Sequence, residues 1–177
     1  MLAAVFRENG IEFPAYRFSS ASVFREPFVR FDLIRDVDLS KTPPEVRLKS
    51  GEILFVSAEL KRELESFAVK FAIPCVERAD VWADLLEPFV DTEFSAADQE
   101  RTLKRLHQQG FLADEVQSIR AKVKDPVLAY NSVVWDWTYL GLFDLLEAFS
   151  KNAPPEDFDG FYWYAMEIAN RGAVSRK

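Results

Sequence analysis

The residue types that carry most side-chain chemistry are scarce in this chain. Its 177 residues include one histidine, His107, and one cysteine, Cys75. A nucleophile and its base must lie within hydrogen-bond reach of each other. His107 stands between Leu106 and Gln108 in a helical pattern with no flanking motif, and reads as a helix surface residue. Cys75 follows Pro74 in the apolar run Ile73–Val76, with only Arg78 near in sequence to draw its thiol toward thiolate. It reads as a small hydrophobe. One histidine and one cysteine all but exclude a zinc site. The six glycines are dispersed, and no phosphate-binding loop, dinucleotide fingerprint or Gly-x-Ser-x-Gly elbow is present. No cofactor is expected.

Carboxylates, by contrast, number 29. Acid–base hydrolysis needs two of them in one cleft with their pKa values pushed apart. Asp84, Glu87, Asp91, Glu93, Asp136 and Asp144 are the candidates. The run Asp91-Thr92-Glu93-Phe94-Ser95 opens like a calcium loop, but its sixth position is Ala96 and its twelfth Thr102, so neither the turn glycine nor the bidentate glutamate is there. Asp157-Phe158-Asp159-Gly160 fails at Phe161. These acids read as helix N-terminal residues facing the helix dipole, and no metal site is expected.

The most distinctive stretch is aromatic. In Tyr130–Tyr139, Trp135 and Trp137 flank Asp136. On a strand the two indoles would share a face. On a helix they would diverge by about 200°, so both could not enter one core. Tyr130, Trp135, Asp136 and Trp137 are therefore candidate binding residues. Trp163, in Phe161-Tyr162-Trp163-Tyr164, joins them, because Trp and Tyr often anchor interfaces. The competing role for each ring is the rim of a wide helical core.

The elements that would position these residues follow from periodicity. Asn9-Gly10 marks a turn, and alternation predicts strands at Ile11–Phe18 and Phe28–Val37. Ser50-Gly51 between two apolar runs predicts a hairpin that pairs Val46-Arg47-Leu48 with Ile53–Val56. Helical spacing starts at Ser57, a candidate cap, and runs through Leu60, Leu64, Phe67 and Phe71 until Pro74 stops it. Ile73–Glu77 would add a short strand. Further helices are expected from Asp80 to about Pro88, from a Ser95/Asp98 capping box to Gly110, over Ala113–Lys124 until Asp125-Pro126, over Val127–Phe149, and over Glu156–Arg171. The apolar Val127–Phe149 segment should be the central helix, with Asp136, Asp144, Glu147 and Lys151 as its polar stripe. The passage Ile34–Phe71 — strand, hairpin, amphipathic helix — is similar to the closing strands and helix of pleckstrin-homology-like barrels. It covers under a quarter of the chain and includes no binding residues, so it implies no function.

The net charge of −7 is unevenly placed. Residues 1–78 carry 12 Lys+Arg and 12 Asp+Glu, whereas residues 79–177 carry 10 and 17. An acidic half disfavours nucleic acid and anionic lipid and favours a basic protein partner. A single cysteine rules out a disulfide within the chain and points to a reducing, cytoplasmic setting. The first eight residues lack the basic leader and long apolar core of a signal peptide, and no apolar run is long enough for a membrane span.

The expected architecture is α+β: a small N-terminal antiparallel sheet followed by a predominantly helical C-terminal half. Residues 1–177 should form a single compact domain, with a strand-rich part over 1–78 and a helical part over 79–177. The favoured function is non-catalytic protein–protein interaction, as in an adaptor, an inhibitor or an immunity-like protein, through the acidic, aromatic-rich helical face. Its partner would be a basic protein or a second copy of the chain. The alternative is a small carboxylate-based enzyme, with or without a divalent cation.

Overall fold

The Ser50-Gly51 hairpin forms with the predicted pairing, Val46 opposite Leu54 and Arg47 opposite Ile53. It belongs to a three-stranded antiparallel sheet of β4 (Ile34–Asp38), β5 (Glu45–Leu48) and β6 (Ile53–Phe55). A second three-stranded antiparallel sheet contains β1 (Val5–Arg7), β2 (Gly10–Glu12) and β3 (Phe28–Arg30), in that order. The chain is therefore α+β, with its strands in the N-terminal half. These features come from a computed structural model that describes residues 3–90, 94–134, 140–152 and 155–174. The described strands form two small sheets where the barrel likeness would suggest a closed one.

The two expected long strands are each interrupted. Phe28–Val37 breaks at a 3-10 turn over Phe31–Leu33, and its two ends join different sheets. The buried positions explain the break. Val29 is buried but Leu33 is 52% exposed, while Ile34 and Val37 are buried. The buried parity changes between Val29 and Ile34, and an uninterrupted strand cannot change parity. The other strand, expected over Ile11–Phe18, ends at Glu12. Beyond it Phe13, Tyr16 and Phe18 are all buried and meet edge-to-face, with Phe18 reaching Phe55 at 6.1 Å. A short helix, α1 (Ser22–Arg25), follows.

Helix α2 (Lys61–Lys70) buries Leu64, Phe67 and Ala68. Ser57 does not cap it; a 3-10 turn over Ala58–Leu60 intervenes, and the Ser57 side chain makes no capping bond. The helix ends through Ala72, at φ 52°, with the Ile73 N–H donating to the Ala68 carbonyl at 2.9 Å. That is the left-handed closure more often given to glycine. Residues 74–76 then pair along β4: the Val37 N–H donates to the Pro74 carbonyl and the Val76 N–H to the Val37 carbonyl, both at 2.9 Å.

The C-terminal half holds α3 (Val81–Val90), α4 (Ala96–Gln108), α5 (Ala113–Val134), α6 (Leu142–Asn152) and α7 (Pro155–Ala169). Asp80 accepts the Ala83 N–H at 3.0 Å at the start of α3, and Ser95 and Asp98 form the expected capping box on α4. Gly110, at φ +82°, ends α4. The central element is α3, which packs against α4, α5, α6 and α7. Its Trp82 is 1% exposed and donates its indole N–H to the Ala165 carbonyl at 2.9 Å. The expected Val127–Phe149 helix is divided between the end of α5 and α6, and Glu147, expected on the polar stripe, is buried with Lys151 at 3.2 Å. The chain divides into two compact units, Met1–Arg78 with Val174–Lys177, and Ala79–Ala173.

Candidate functional site

Two of the carboxylates singled out by the sequence, Asp84 and Glu87, share an arginine. Asp84 and Glu87 lie one turn apart on α3, and Arg105 of α4 bridges them at 2.8 Å each. The buried Thr102 hydroxyl donates to Glu87 and also accepts from Arg105 at 3.1 Å. Burial pushes the Asp84 carboxyl above its usual range, against the pull of the Arg105 guanidinium. Arg105 is held above its own ordinary value, chiefly by its bond to Asp84. Through its bonds to both carboxylates the Arg105 guanidinium ties α4 to α3. Asp144 is elsewhere: its side chain accepts the Gly141 N–H at 2.9 Å at the start of α6, and burial pushes its carboxyl up. Asp91, Glu93 and Asp136 lie outside the described residues.

His107 is exposed on α4 beside a groove of about 370 Å³ walled by Leu103, Phe111 and Val116. Cys75 is exposed, not a core residue, and burial of its surroundings and the charge of Glu65 push its thiol up, away from thiolate. Among the described residues no three of His, Cys, Asp and Glu are grouped to hold a metal ion. Nor is any described helix long and apolar enough to cross a membrane.

The aromatic candidates divide three ways. Trp135, Asp136 and Trp137 lie outside the described residues. Tyr130 is half-buried near the end of α5, with the Lys151 ammonium 5.2 Å from its ring centre. Trp163 is 41% exposed on α7, whereas its neighbours Phe161 and Tyr162 are buried. Helical geometry separates them: Phe161, Tyr162, Ala165, Met166 and Ala169 fill the core side, while Asp159, Gly160, Trp163 and Glu167 form the solvent ridge. Asp159 and Glu167 stand one turn before and after Trp163, so their carboxylates flank the indole. Gly160 leaves open space beside the ring, with no atom within 4 Å of where a Cβ would lie. The indole is braced edge-on against buried Tyr162, with ring centres 5.5 Å apart at 88°. On the same helix Tyr164 is covered by Lys122 of α5 at 4.0 Å.

No family model, curated protein or solved structure matches the chain. The functional reading therefore stands on this geometry alone.

One charged cluster escaped the sequence reading. Asp36, Asp38, Glu45, Arg47 and Glu52 are all buried in or beside the β4-β5-β6 sheet. Asp38 accepts the Ser40 N–H and hydroxyl at 3.0 and 2.6 Å and the Arg78 N–H at 2.9 Å. Asp36 holds Arg35 and Arg78 at 2.8 Å each, Arg47 donates twice to Glu45, and Glu52 accepts the Ser22 N–H and hydroxyl. Alternating charges on a strand ordinarily mean a solvated face. The pattern Arg35-Asp36-Val37-Asp38 beside Glu45-Val46-Arg47, in which Asp36 stands opposite Arg47, was the signal available. Its bonds join strand, loop and the Arg78 segment, a structural task.

Proposed function

We propose that this chain is a non-catalytic interaction protein that captures a basic protein partner on the solvent ridge of α7. The observation that supports the reading is the exposed, braced indole of Trp163 between the carboxylates of Asp159 and Glu167. A rigid aromatic ring with open space beside it offers contact area at little cost in conformational freedom. Two flanking carboxylates select lysine and arginine around the contact, and the acidic C-terminal half steers a basic partner toward it. Acidic partners, nucleic acid among them, are disfavoured by the same field.

The test begins with capture on the immobilised chain at low ionic strength, followed by identification and purification of the bound protein. Its affinity is then titrated against the wild type, Trp163→Ala and the double variant Asp159→Lys/Glu167→Lys. The expected result is a stoichiometric partner of basic isoelectric point. Trp163→Ala should weaken it about thirtyfold, the scale of an interface hot spot. Charge reversal should weaken it further at low salt than at high salt. A partner indifferent to both changes, or an acidic one, would overturn the reading.

A further inference from the structure

The first sheet ends in an edge strand at β1, and the register shows which of its backbone groups face outward. The Asn9 carbonyl accepts the Phe31 N–H at 3.0 Å, and the Phe13 N–H donates to the Pro27 carbonyl at 2.8 Å. The odd-numbered residues along β2 thus turn their backbone groups toward β3. Backbone direction alternates along a strand, so Gly10 and Glu12 turn theirs toward β1, where they face Arg7 and Val5. Phe6, opposite Ile11, points its N–H and carbonyl away from the sheet. Among the described residues neither group has a partner.

The other sheet treats its edges differently. Residues 74–76 pair along β4, and the outward Phe55 N–H of β6 donates to the Tyr16 hydroxyl at 2.9 Å. The edge of β1 instead borders a groove of about 630 Å³. One wall is Phe6, Arg7 and Glu8. The other is a single face of α2: Arg62, Ser66 and Lys70 at i, i+4 and i+8, with Glu63 and Phe67 beside them. The Phe6 and Phe67 rings lie 5.5 Å apart and supply an apolar patch. Three cations rim the groove against two anions. Arg7 is paired with Glu12 at 2.6 Å, and Lys70 lies 5.0 Å from the Phe71 ring centre. The Arg62 guanidinium makes no ion pair or hydrogen bond among the described residues.

We infer that this groove takes an extended peptide segment of another protein, added as a fourth strand on β1. An unpaired strand edge selects an extended backbone, because only that conformation returns the N–H and C=O bonds that Phe6 offers. Side chains two residues apart on the added strand share a face. The chemistry of the wall therefore selects an apolar residue, seated on Phe6 and Phe67, and a carboxylate two positions away that pairs with Arg62. A second copy of this chain fits less well, because pairing β1 with β1 would bring Arg7, Arg62 and Lys70 of both copies together. This inference is independent of the α7 ridge and concerns a ligand of opposite charge.

The experiment uses the full chain and fluorescein-labelled eight-residue peptides of threonine background with Leu-Thr-Glu at the centre. Controls are the Leu-Thr-Lys version and a Leu-Thr-Glu version N-methylated at leucine, threonine and glutamate. Binding is read by fluorescence anisotropy, and the peptide's effect on exchange of the Phe6 amide is read by NMR. Saturable binding of the Leu-Thr-Glu peptide is expected, with the Phe6 amide protected on binding. The lysine and N-methylated controls should each bind at least tenfold more weakly, the second because it has no N–H to donate to the Phe6 carbonyl in either strand direction. Arg62→Glu should weaken the glutamate peptide and strengthen the lysine one. Ser66→Trp, an exposed change that fills the groove, should abolish binding with the circular dichroism unchanged. Equal binding of the N-methylated control, no binding of any peptide to the folded chain, or a concentration-dependent dimer abolished by Ser66→Trp would each overturn the proposal. Neither variant should alter capture at the α7 ridge, so failure here and failure of that reading are separable.

Discussion

The Phe55 N–H on the outer side of β6 finds its acceptor in a side chain, the Tyr16 hydroxyl. Tyr16 is buried among Phe13, Phe18 and Phe55, and burial pushes its phenol far above the ordinary value of 10.0. Tyr16→Phe would keep the ring and leave a buried N–H unpaired, at a cost of about 1–3 kcal/mol. The pH dependence carries a sign. With its pKa raised in the folded state, Tyr16 stays protonated there and ionises only on unfolding. Its contribution is present below the ordinary phenol value and is lost as pH rises above it. Urea unfolding of the wild type should lose about 1.4 kcal/mol per pH unit above pH ~10 on this account, and Tyr16→Phe should lack that component. Equal slopes for the two proteins would show that the phenol ionises while folded. The residue itself was visible in the sequence only as one of several alternating aromatics, because its role depends on the Phe55 edge 39 positions away.

At the scale of elements, the prolines separate what local pattern can show from what it cannot. Pro88 and Pro126 both read as helix ends, since each lacks an N–H and crowds the preceding turn. Both lie inside helices, α3 and α5. For Pro88 the structure gives the reason. Its missing N–H frees the Asp84 carbonyl one turn earlier, and Arg120 of α5 donates to the Asp84 and Leu85 carbonyls at 3.1 and 3.0 Å. Burial draws the Arg120 guanidinium below its ordinary value, while the charges of Glu87 and Asp84 oppose the shift. Nothing near Pro88 in sequence announces an arginine 32 positions on. The Ser95–Asp98 box and the Ser50-Gly51 hairpin were legible because donor, acceptor and turn residue lie within a few positions. Of the site residues, Trp163 was legible as a type, whereas its exposure depended on which side of α7 faces the core. A coupled prediction follows. Arg120→Ala should cost about 1–3 kcal/mol. In a Pro88→Ala background, where residue 88 can again donate to the Asp84 carbonyl, the same change should cost about 1 kcal/mol less. Chemical denaturation of the four proteins in a double-mutant cycle measures this coupling, and strict additivity would mean that Arg120 does not serve the gap left by Pro88.

At the scale of the whole molecule, the chain passes between its two units at Arg78–Ala79 and again at Ala173–Val174. Within the first unit Arg78 and Val174 form an antiparallel bridge, and within the second the Ala79 N–H donates to the Ala173 carbonyl at 3.0 Å. Gly172 packs against Ala79 in that second unit. A Cβ there would stand 2.5 Å from the Ala79 carbonyl oxygen and 3.3 Å from that of Ala169. Neither is the yielding end of a side chain, so the backbone itself would have to move. Gly160, in the middle of α7, faces the opposite condition, with nothing within 4 Å. One chemical change should therefore act with opposite signs. Gly160→Ala should stabilise by about 0.5–1 kcal/mol, because alanine loses less backbone freedom in a helix. Gly172→Ala should destabilise by about 1–3 kcal/mol, the cost of forcing a packed backbone apart. Thermal and urea unfolding of both variants measures the two signs. If Gly172→Ala proved neutral, the close approach of Gly172 to the Ala79 backbone would not contribute to stability. If Gly160→Ala were destabilising, the open ridge beside Trp163 would be occupied in solution.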